Sequence, residues 1–209
     1  MAVDQTGTQT AKPNYVGRFA PSPTGPLHLG SLIAALASYL DARHHQGQWL
    51  LRIEDLDPPR ESKQAPGQIL EQLSRLGFIW DGEPLFQSQR LDRFEECLAL
   101  LRRGGRLFHC TCSRKSFAEV YPGRCRGSQQ TEEIYAIRIQ VSDERLTCAD
   151  LIQSAHSYDL EADVGDFILK RKDGLFAYQL AVVVDDYDQG VTHVIRGSDL
   201  LDSTPRQIY

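Results

Sequence analysis

The most constraining stretch of this chain is Arg18-Phe19-Ala20-Pro21-Ser22-Pro23-Thr24-Gly25-Pro26-Leu27-His28-Leu29-Gly30-Ser31. Before it, Tyr15 to Ala20 reads as a short strand, and the prolines then stop regular structure. After it, Leu32, Ile33, Leu36, Tyr39 and Leu40 recur at helical spacing to about Arg43, and Gly47 is placed to end the helix. Trp49–Ile53 reads as a buried strand. Strand, loop, helix, strand is the opening of a doubly wound α/β nucleotide fold. The loop would aim the unpaired N–H groups and positive dipole end of a helix at an anion. Gly30 would admit a nucleotide close to the backbone. His28 would donate to a phosphate as its charge builds.

Further along, amphipathic helices are expected over 64–76 and 90–103. Residues 105–165 are Cys-rich, with short strand-like runs such as Tyr135–Ile139, and read as an insertion. Phe167–Arg171 and Val191–Ile195 are expected to resume the strands, with Leu175–Val184 as a buried helix between them. Asp173-Gly174 marks a tight turn. Ser203-Thr204-Pro205 reads as a helix start with a capping hydroxyl. Asp185 and Asp186 are expected to be solvated or capping. The expected division is a tail over 1–13, a first catalytic half over 14–104, the insertion over 105–165, and a second half over 166–209.

Composition narrows the function classes. Residues 1–13 have neither the apolar core of a signal peptide nor the character of a transit peptide, and no apolar run is bilayer-length. The expected location is the cytoplasm. The net charge of −5 excludes an overall basic coat. Locally, seven basic residues between Arg102 and Arg126 face one acid, Glu119, which leaves room for a nucleic-acid footprint. Five cysteines without a secretion signal favour metal over disulfides. Cys110, Cys112 and Cys125 suit a soft four-coordinate ion, zinc above others, with His109 and Tyr121 as local candidates for the fourth donor. Cys97 and Cys148 are expected to be buried thiols.

Four blocks in order resemble the glutamyl-type class I aminoacyl-tRNA synthetases: the His28-Leu29-Gly30-Ser31 signature, Arg52-Ile53-Glu54-Asp55, Tyr178 within its apolar run, and Arg196 after Val194-Ile195. Ser31 stands where the signature's second histidine falls. Pro58-Pro59-Arg60 and the Cys-x-Cys, Tyr-x-x-x-Cys pattern are similar to the glutamyl-Q group of that family. The resemblance implies a Rossmann-type catalytic domain with a zinc-containing, acceptor-binding-type insertion. It implies His28, Gly30 and Ser31 as catalytic, and Ser22, Thr24, Gly25, His28, Gly30 and Ser31 as ATP-binding. Arg18, Phe19, Ala20, Pro21, Ser22, Glu54, Tyr178 and Arg196 would hold glutamate, and Cys110, Cys112, Tyr121 and Cys125 one structural zinc.

The implied reaction is tRNA-independent activation of glutamate by ATP and Mg2+, then transfer to the queuosine base of tRNA(Asp), by a monomer. The alternatives are the catalytic part of an ordinary glutamyl synthetase charging tRNA(Glu), another nucleotidyltransferase, or a non-catalytic zinc-containing RNA-binding module. Such synthetases carry a KMSKS-like lysine loop, which does not occur before Tyr209. Were these residues the whole working chain, activation would be severely weakened.

Overall fold

A computed structural model describes residues 15–117, 120–127 and 134–209. The expected tail over 1–13 lies outside them. The chain forms two compact units. The first comprises residues 15–53, Glu61–Leu85 and Gln189–Arg196; the second comprises Glu54–Arg60, Phe86–Asp188 and Gly197–Tyr209.

In the first unit, β1 (Val16–Phe19) and β2 (Gln48–Ile53) pair in parallel, with Val16 opposite Gln48, and α1 (Leu29–His44) makes the crossover. The two-residue β3 (Leu85–Phe86) completes the order β1-β2-β3. Helix α2 (Ala65–Arg75) follows, with a proline in its first turn and Ile69 and Leu73 fully buried. The expected helix over Leu27–Arg43 therefore forms, but it packs through another face. Ala35, Ser38 and Ala42 are buried, whereas Ile33, Leu36 and Leu40 are 59%, 48% and 56% exposed. Small side chains three and four residues apart let a helix approach its sheet closely, which the large apolar stripe would prevent.

Trp49 centres this core. It is fully buried, its ring stacks on Phe78 at 5.6 Å and meets the edge of Tyr39 at 5.0 Å, and its indole N–H donates to Ser38 Oγ at 2.9 Å. A buried indole N–H needs such an acceptor. Gly47 is not the helix cap; that place is held by His45, and Gln46 takes the positive φ of 53°. Gly47 is required for another reason. A Cβ there would lie 2.5 Å from the Tyr15 carbonyl oxygen. Gly47→Ala should cost about 1–3 kcal/mol as an overpacking change, read as a lower urea midpoint at unchanged slope; an unchanged midpoint would refute the close approach.

The expected strand Val191–Ile195 does not form a regular ladder. Thr192 and His193 both direct their N–H groups to the Val16 carbonyl, and Thr192 Oγ1 accepts from Val16 N at 2.8 Å. With two donors spent on one carbonyl, the repeating exchange of a ladder is lost at this point.

The second unit is built on helices and antiparallel pairs. Helix α3 (Leu91–Arg103) leads into β4 (Leu107–Cys110), which pairs with β5 (Ala136–Ile139). A separate hairpin joins β6 (Arg145–Cys148) to β7 (His156–Asp159). Then β8 (Phe167–Lys170) pairs antiparallel with β5, giving the order β4-β5-β8. β8 thus completes the sheet that carries β4 and β5. Helix α4 (Tyr178–Asp188) and the short α5 (Thr204–Ile208) complete the unit.

Phe94, Leu98, Ile137, Leu160, Leu169, Phe176, Leu180 and Ala181 lie in one apolar core. The Asp173-Gly174 turn forms as expected, with Gly174 at φ 85° and its N–H on the Arg171 carbonyl. Ser203 does not cap α5: a 3-10 turn over Ser198–Ser203 runs straight into the helix, leaving its hydroxyl unused for that purpose. Cys148 is buried, as expected, and Cys97 only partly so.

Asp185 is not solvated. Its side chain is fully buried, accepting from Gln87 Nε2 and Arg90 Nε at 2.8 Å each. One turn on, Asp188 accepts from Arg93 at 2.8 and 3.0 Å and from Arg90. Arg93 first, with Arg90, holds the Asp188 carboxyl down at about 2, against an ordinary 3.8. The folded value lies below the unfolded one, so this stabilisation is complete above about pH 4 and fades as pH falls towards 2. Asp188→Asn should flatten that limb of the stability–pH curve; an identical acid limb in the variant would exclude Asp188 as its source. Among the described residues no helix is long and apolar enough to cross a membrane.

Candidate functional site

The loop after β1 is held from both sides within the first unit. Pro21 and Pro23 are buried, Ser62 N donates to the Pro23 carbonyl at 3.0 Å, and Leu27 N donates to Gln72 Oε1 at 2.9 Å. Ser22 and Thr24 are exposed, and Thr24 N bonds the Ser22 carbonyl at 2.9 Å. Gly25 has open space where a Cβ would stand. His28, exposed, is itself the N-cap of α1: its Nδ1 accepts from Ser31 N at 3.2 Å, and its Nε2 lies 3.1 Å from Ser31 Oγ. A ring accepting at Nδ1 carries its neutral-form proton on Nε2, facing the serine oxygen. The Ser31 hydroxyl hydrogen is then left to point outward. Gly30 makes room for this fold-back, since a Cβ there would lie 3.1 Å from imidazole Cε1.

The His28–Ser31 contact was not foreseen from sequence, although histidine three residues before serine at a helix start permits it. Two other features of the first unit were also missed. Arg52, completely buried, donates to Gln189 Oε1 at 2.8 Å. Tyr15 is sandwiched by His193 at 4.0 Å and His45 at 4.9 Å, with its hydroxyl on Asp41. Of the expected glutamate contacts, Arg18, Phe19, Ala20, Pro21, Ser22 and Arg196 belong to this unit, with Arg18 buried on β1 and Arg196 half-buried. Glu54 and Tyr178 belong to the other, Glu54 buried and Tyr178 opening α4.

In the second unit the sulfurs of Cys110, Cys112 and Cys125 all lie within 4.8 Å of one another. Cys112 and Cys125 Sγ are 3.6 Å apart, and the Tyr121 hydroxyl lies 3.9 Å from Cys112 Sγ. Four ligands around one ion with metal–sulfur bonds near 2.3 Å would stand about 3.8 Å apart, so the donor set fits a tetrahedral centre. His109 does not join it. As the strand neighbour of Cys110 it faces the other side of the sheet, where its ring stacks on Tyr135 at 3.6 Å.

Burial pushes the Cys112 thiol up, reinforced by its hydrogen bond to Cys125. Burial acts the same way on Cys125, but bonds from Tyr121, Thr111 N–H, Cys112 and Cys110 outweigh it and hold that thiol below its ordinary value. Tyr121 is pushed up by burial and then by its bonds to Cys125 and Cys110, so its hydroxyl keeps its proton in the metal-free cluster.

Arg126 fixes the loop that carries Cys125, gripping Asp166 at 2.7 and 2.6 Å and Glu161 at 3.0 Å.

A parallel βαβ unit whose first loop ends in a capped helix start is the opening of a nucleotide-binding α/β fold, and the second unit adds antiparallel strands and a cysteine cluster. The chain matches the model of the class I tRNA synthetases (E and Q), catalytic domain, over residues 15–121 and 114–209, and it belongs to that family. It is 55% identical over 201 residues to a glutamyl-Q tRNA(Asp) synthetase of Pseudomonas syringae pv. tomato, covering 95% of this chain and 68% of the relative. It is 53% identical to the protein of that name in Pseudomonas aeruginosa PAO1, covering 94% and 68%. A glutamate tRNA ligase from Elizabethkingia meningosepticum, solved in complex with its amino acid, superposes with a TM-score of 0.83 at 29% identity, over 93% of this chain and 46% of that one. The chain therefore spans about two thirds of these curated relatives and under half of the solved ligase.

Proposed function

We propose that this chain carries the glutamate-activating machinery of a glutamyl-Q tRNA(Asp) synthetase. The observation that carries the reading is identity of 51–55% to proteins of that name across nearly the whole chain. On this reading a glutamate carboxylate oxygen attacks the α-phosphorus of ATP and the bond to the β-phosphate breaks. Glutamyl-adenylate forms and pyrophosphate leaves, with Mg2+ accompanying the nucleotide. Glutamate then passes to the queuosine base of tRNA(Asp).

Ser22, Thr24, Gly25 and the start of α1 face the nucleotide. His28, Gly30 and Ser31 stabilise the charge that builds on the transferring phosphate. Arg18, Phe19, Ala20, Pro21, Ser22, Glu54, Tyr178 and Arg196 hold glutamate. Arginine's planar fork matches the side-chain carboxylate, and Glu54 meets the α-ammonium. Cys110, Cys112, Cys125 and Tyr121 would hold one zinc ion, which would close the insertion rather than take part in the reaction. We read the protein as cytoplasmic and monomeric.

The test is glutamate-dependent ATP–pyrophosphate exchange without tRNA, on this chain and on a longer chain extended to the length of its curated relatives. Exchange is expected in the longer chain, falling on the order of 100-fold in His28→Ala, as for loss of one charge-stabilising donor. Exchange only when tRNA is added would instead favour an ordinary glutamyl synthetase. No exchange from folded, metal-loaded protein under either condition would refute activation altogether.

A further inference from the structure

The loop that leads into α1 has few means of holding itself. From Pro21 to Leu27 three of the seven residues are proline, which leaves the backbone N–H groups of Ser22, Thr24, Gly25 and Leu27. Thr24 spends its own on the Ser22 carbonyl. A loop with so few donors needs bracing from outside to keep one shape. Two braces come from one stretch of chain in the same unit. Ser62 N reaches the Pro23 carbonyl at 3.0 Å, and Gln72 Oε1 takes the Leu27 N–H at 2.9 Å.

The two braces differ in kind. Ser62 acts through its backbone, which any residue but proline would supply. Gln72 acts through its side chain, from 45 positions along the chain, so here the identity of the residue matters. Only the amide oxygen can meet an N–H, and the bond therefore fixes which way the amide faces. Gln72 stands on α2, where Ile69 and Leu73 are fully buried, so its side chain projects from an anchored helix. A glutamine on the outside of a helix would ordinarily be left to water. This one is half-buried, and its oxygen is committed to the residue just before the N-cap of α1.

The direction of the chain at Leu27 decides where His28 stands. His28 has φ −87° and ψ 170°, and from there its Nδ1 accepts from Ser31 N while its Nε2 lies 3.1 Å from Ser31 Oγ. Burial does not hold this pair, since His28 is exposed and Ser31 only half-buried. A functional side chain at such a place is only as precise as the residues that support it.

We propose that Gln72 is a positioning residue for the His28–Ser31 pair, fixing the direction in which α1 starts and so the aim of both side chains at the transferring phosphate. The inference rests on the glutamate-activating reading. Gln72 acts through Leu27 and His28.

Two variants separate bond from bulk: Gln72→Met keeps the length and removes the acceptor, whereas Gln72→Glu keeps the acceptor. In the chain extended to the length of its curated relatives, Gln72→Met is expected to lower kcat of glutamate-dependent exchange about 10- to 100-fold, with little change in the KM for glutamate, as for a small misplacement of reacting groups. Gln72→Glu should restore kcat, and Arg75→Gln, on the exposed face of the same helix, should change neither constant. Nitrogen-15 NMR of the histidine rings in the 209-residue chain reads the geometry without catalysis, at about pH 8 where imidazole is neutral. His28 Nδ1 should carry the signature of an acceptor in the parent and in Gln72→Glu, and lose it in Gln72→Met. An unchanged Nδ1 signal in Gln72→Met would overturn the proposal. So would an equal fall in kcat for Gln72→Met and Gln72→Glu, or a fall matched by loss of folded protein. If the extended parent shows no exchange, the activation reading fails, and the ring signal by itself still decides whether Gln72 places His28.

Discussion

Asp185→Ala is expected to destabilise the protein by about 3–5 kcal/mol, the range for removing one member of a buried charged pair. Two donors depend on this carboxylate: Gln87, 1% exposed, and Arg90, whose Nε lies 2.8 Å from Oδ1. Alanine would leave the Gln87 amide buried with its acceptor gone. Arg90 would keep Asp188, so its loss would be partial. Asp185→Asn should cost less, because one oxygen still accepts while the new amide faces donors. Urea unfolding of both variants measures this directly. A loss under about 1 kcal/mol for alanine would mean that water or a neighbour replaces the carboxylate.

The second large effect concerns the cysteine cluster. On the proposed zinc reading, Cys125→Ser should reduce bound zinc from about one per chain to near none and release residues 110–117 and 120–127 from protection against hydrogen exchange. In small modules a structural zinc supplies on the order of 10 kcal/mol to folding. Here the sheet β4-β5-β8 has an apolar core of its own, so the loss should be local and large rather than global. His109→Ala provides the contrast. It should retain the metal, since His109 stacks on Tyr135 away from the sulfurs. Metal analysis after dialysis reads both variants, and zinc lost from His109→Ala but kept in Tyr121→Phe would reverse the choice of fourth donor.

Much of the local structure was legible because its signals are local. Helices over 65–75 and 91–103 fell within a residue or so of the expected bounds, since their apolar periodicity coincides with the buried face: Ile69 and Leu73, then Phe94 and Leu98. In α1 the same pattern identified the helix but not its packing, because the buried positions are Ala35, Ser38 and Ala42, which carry little hydropathy. Asp185 was read as solvated because its partners, Gln87 and Arg90, lie almost a hundred residues away. The partner of β8 was equally unreadable: strand pairing depends on topology, and Phe167–Lys170 fits either sheet by composition.

At the candidate site the three cysteines announced themselves by spacing. That Tyr121 lies beside them while His109 turns away to Tyr135 follows from the alternation of β4, which spacing does not show. The His28–Ser31 contact, Arg52 with Gln189, and the Gln72 brace on Leu27 depend on side-chain direction, which spacing does not encode.

The return of Thr192 to Val16 also bears on how the chain is made. The N-terminal strand leaves the ribosome early, yet its bonds to Thr192 join residues 176 positions apart. Most of the second unit, Phe86–Asp188, is synthesised in between as one continuous block. During translation that block can settle while β1, α1 and β2 wait for the edge that Gln189–Arg196 supplies. Closing so long a loop is slow even where its thermodynamic cost is modest. The nascent first unit should therefore remain protease-sensitive until residue 196 has cleared the exit tunnel.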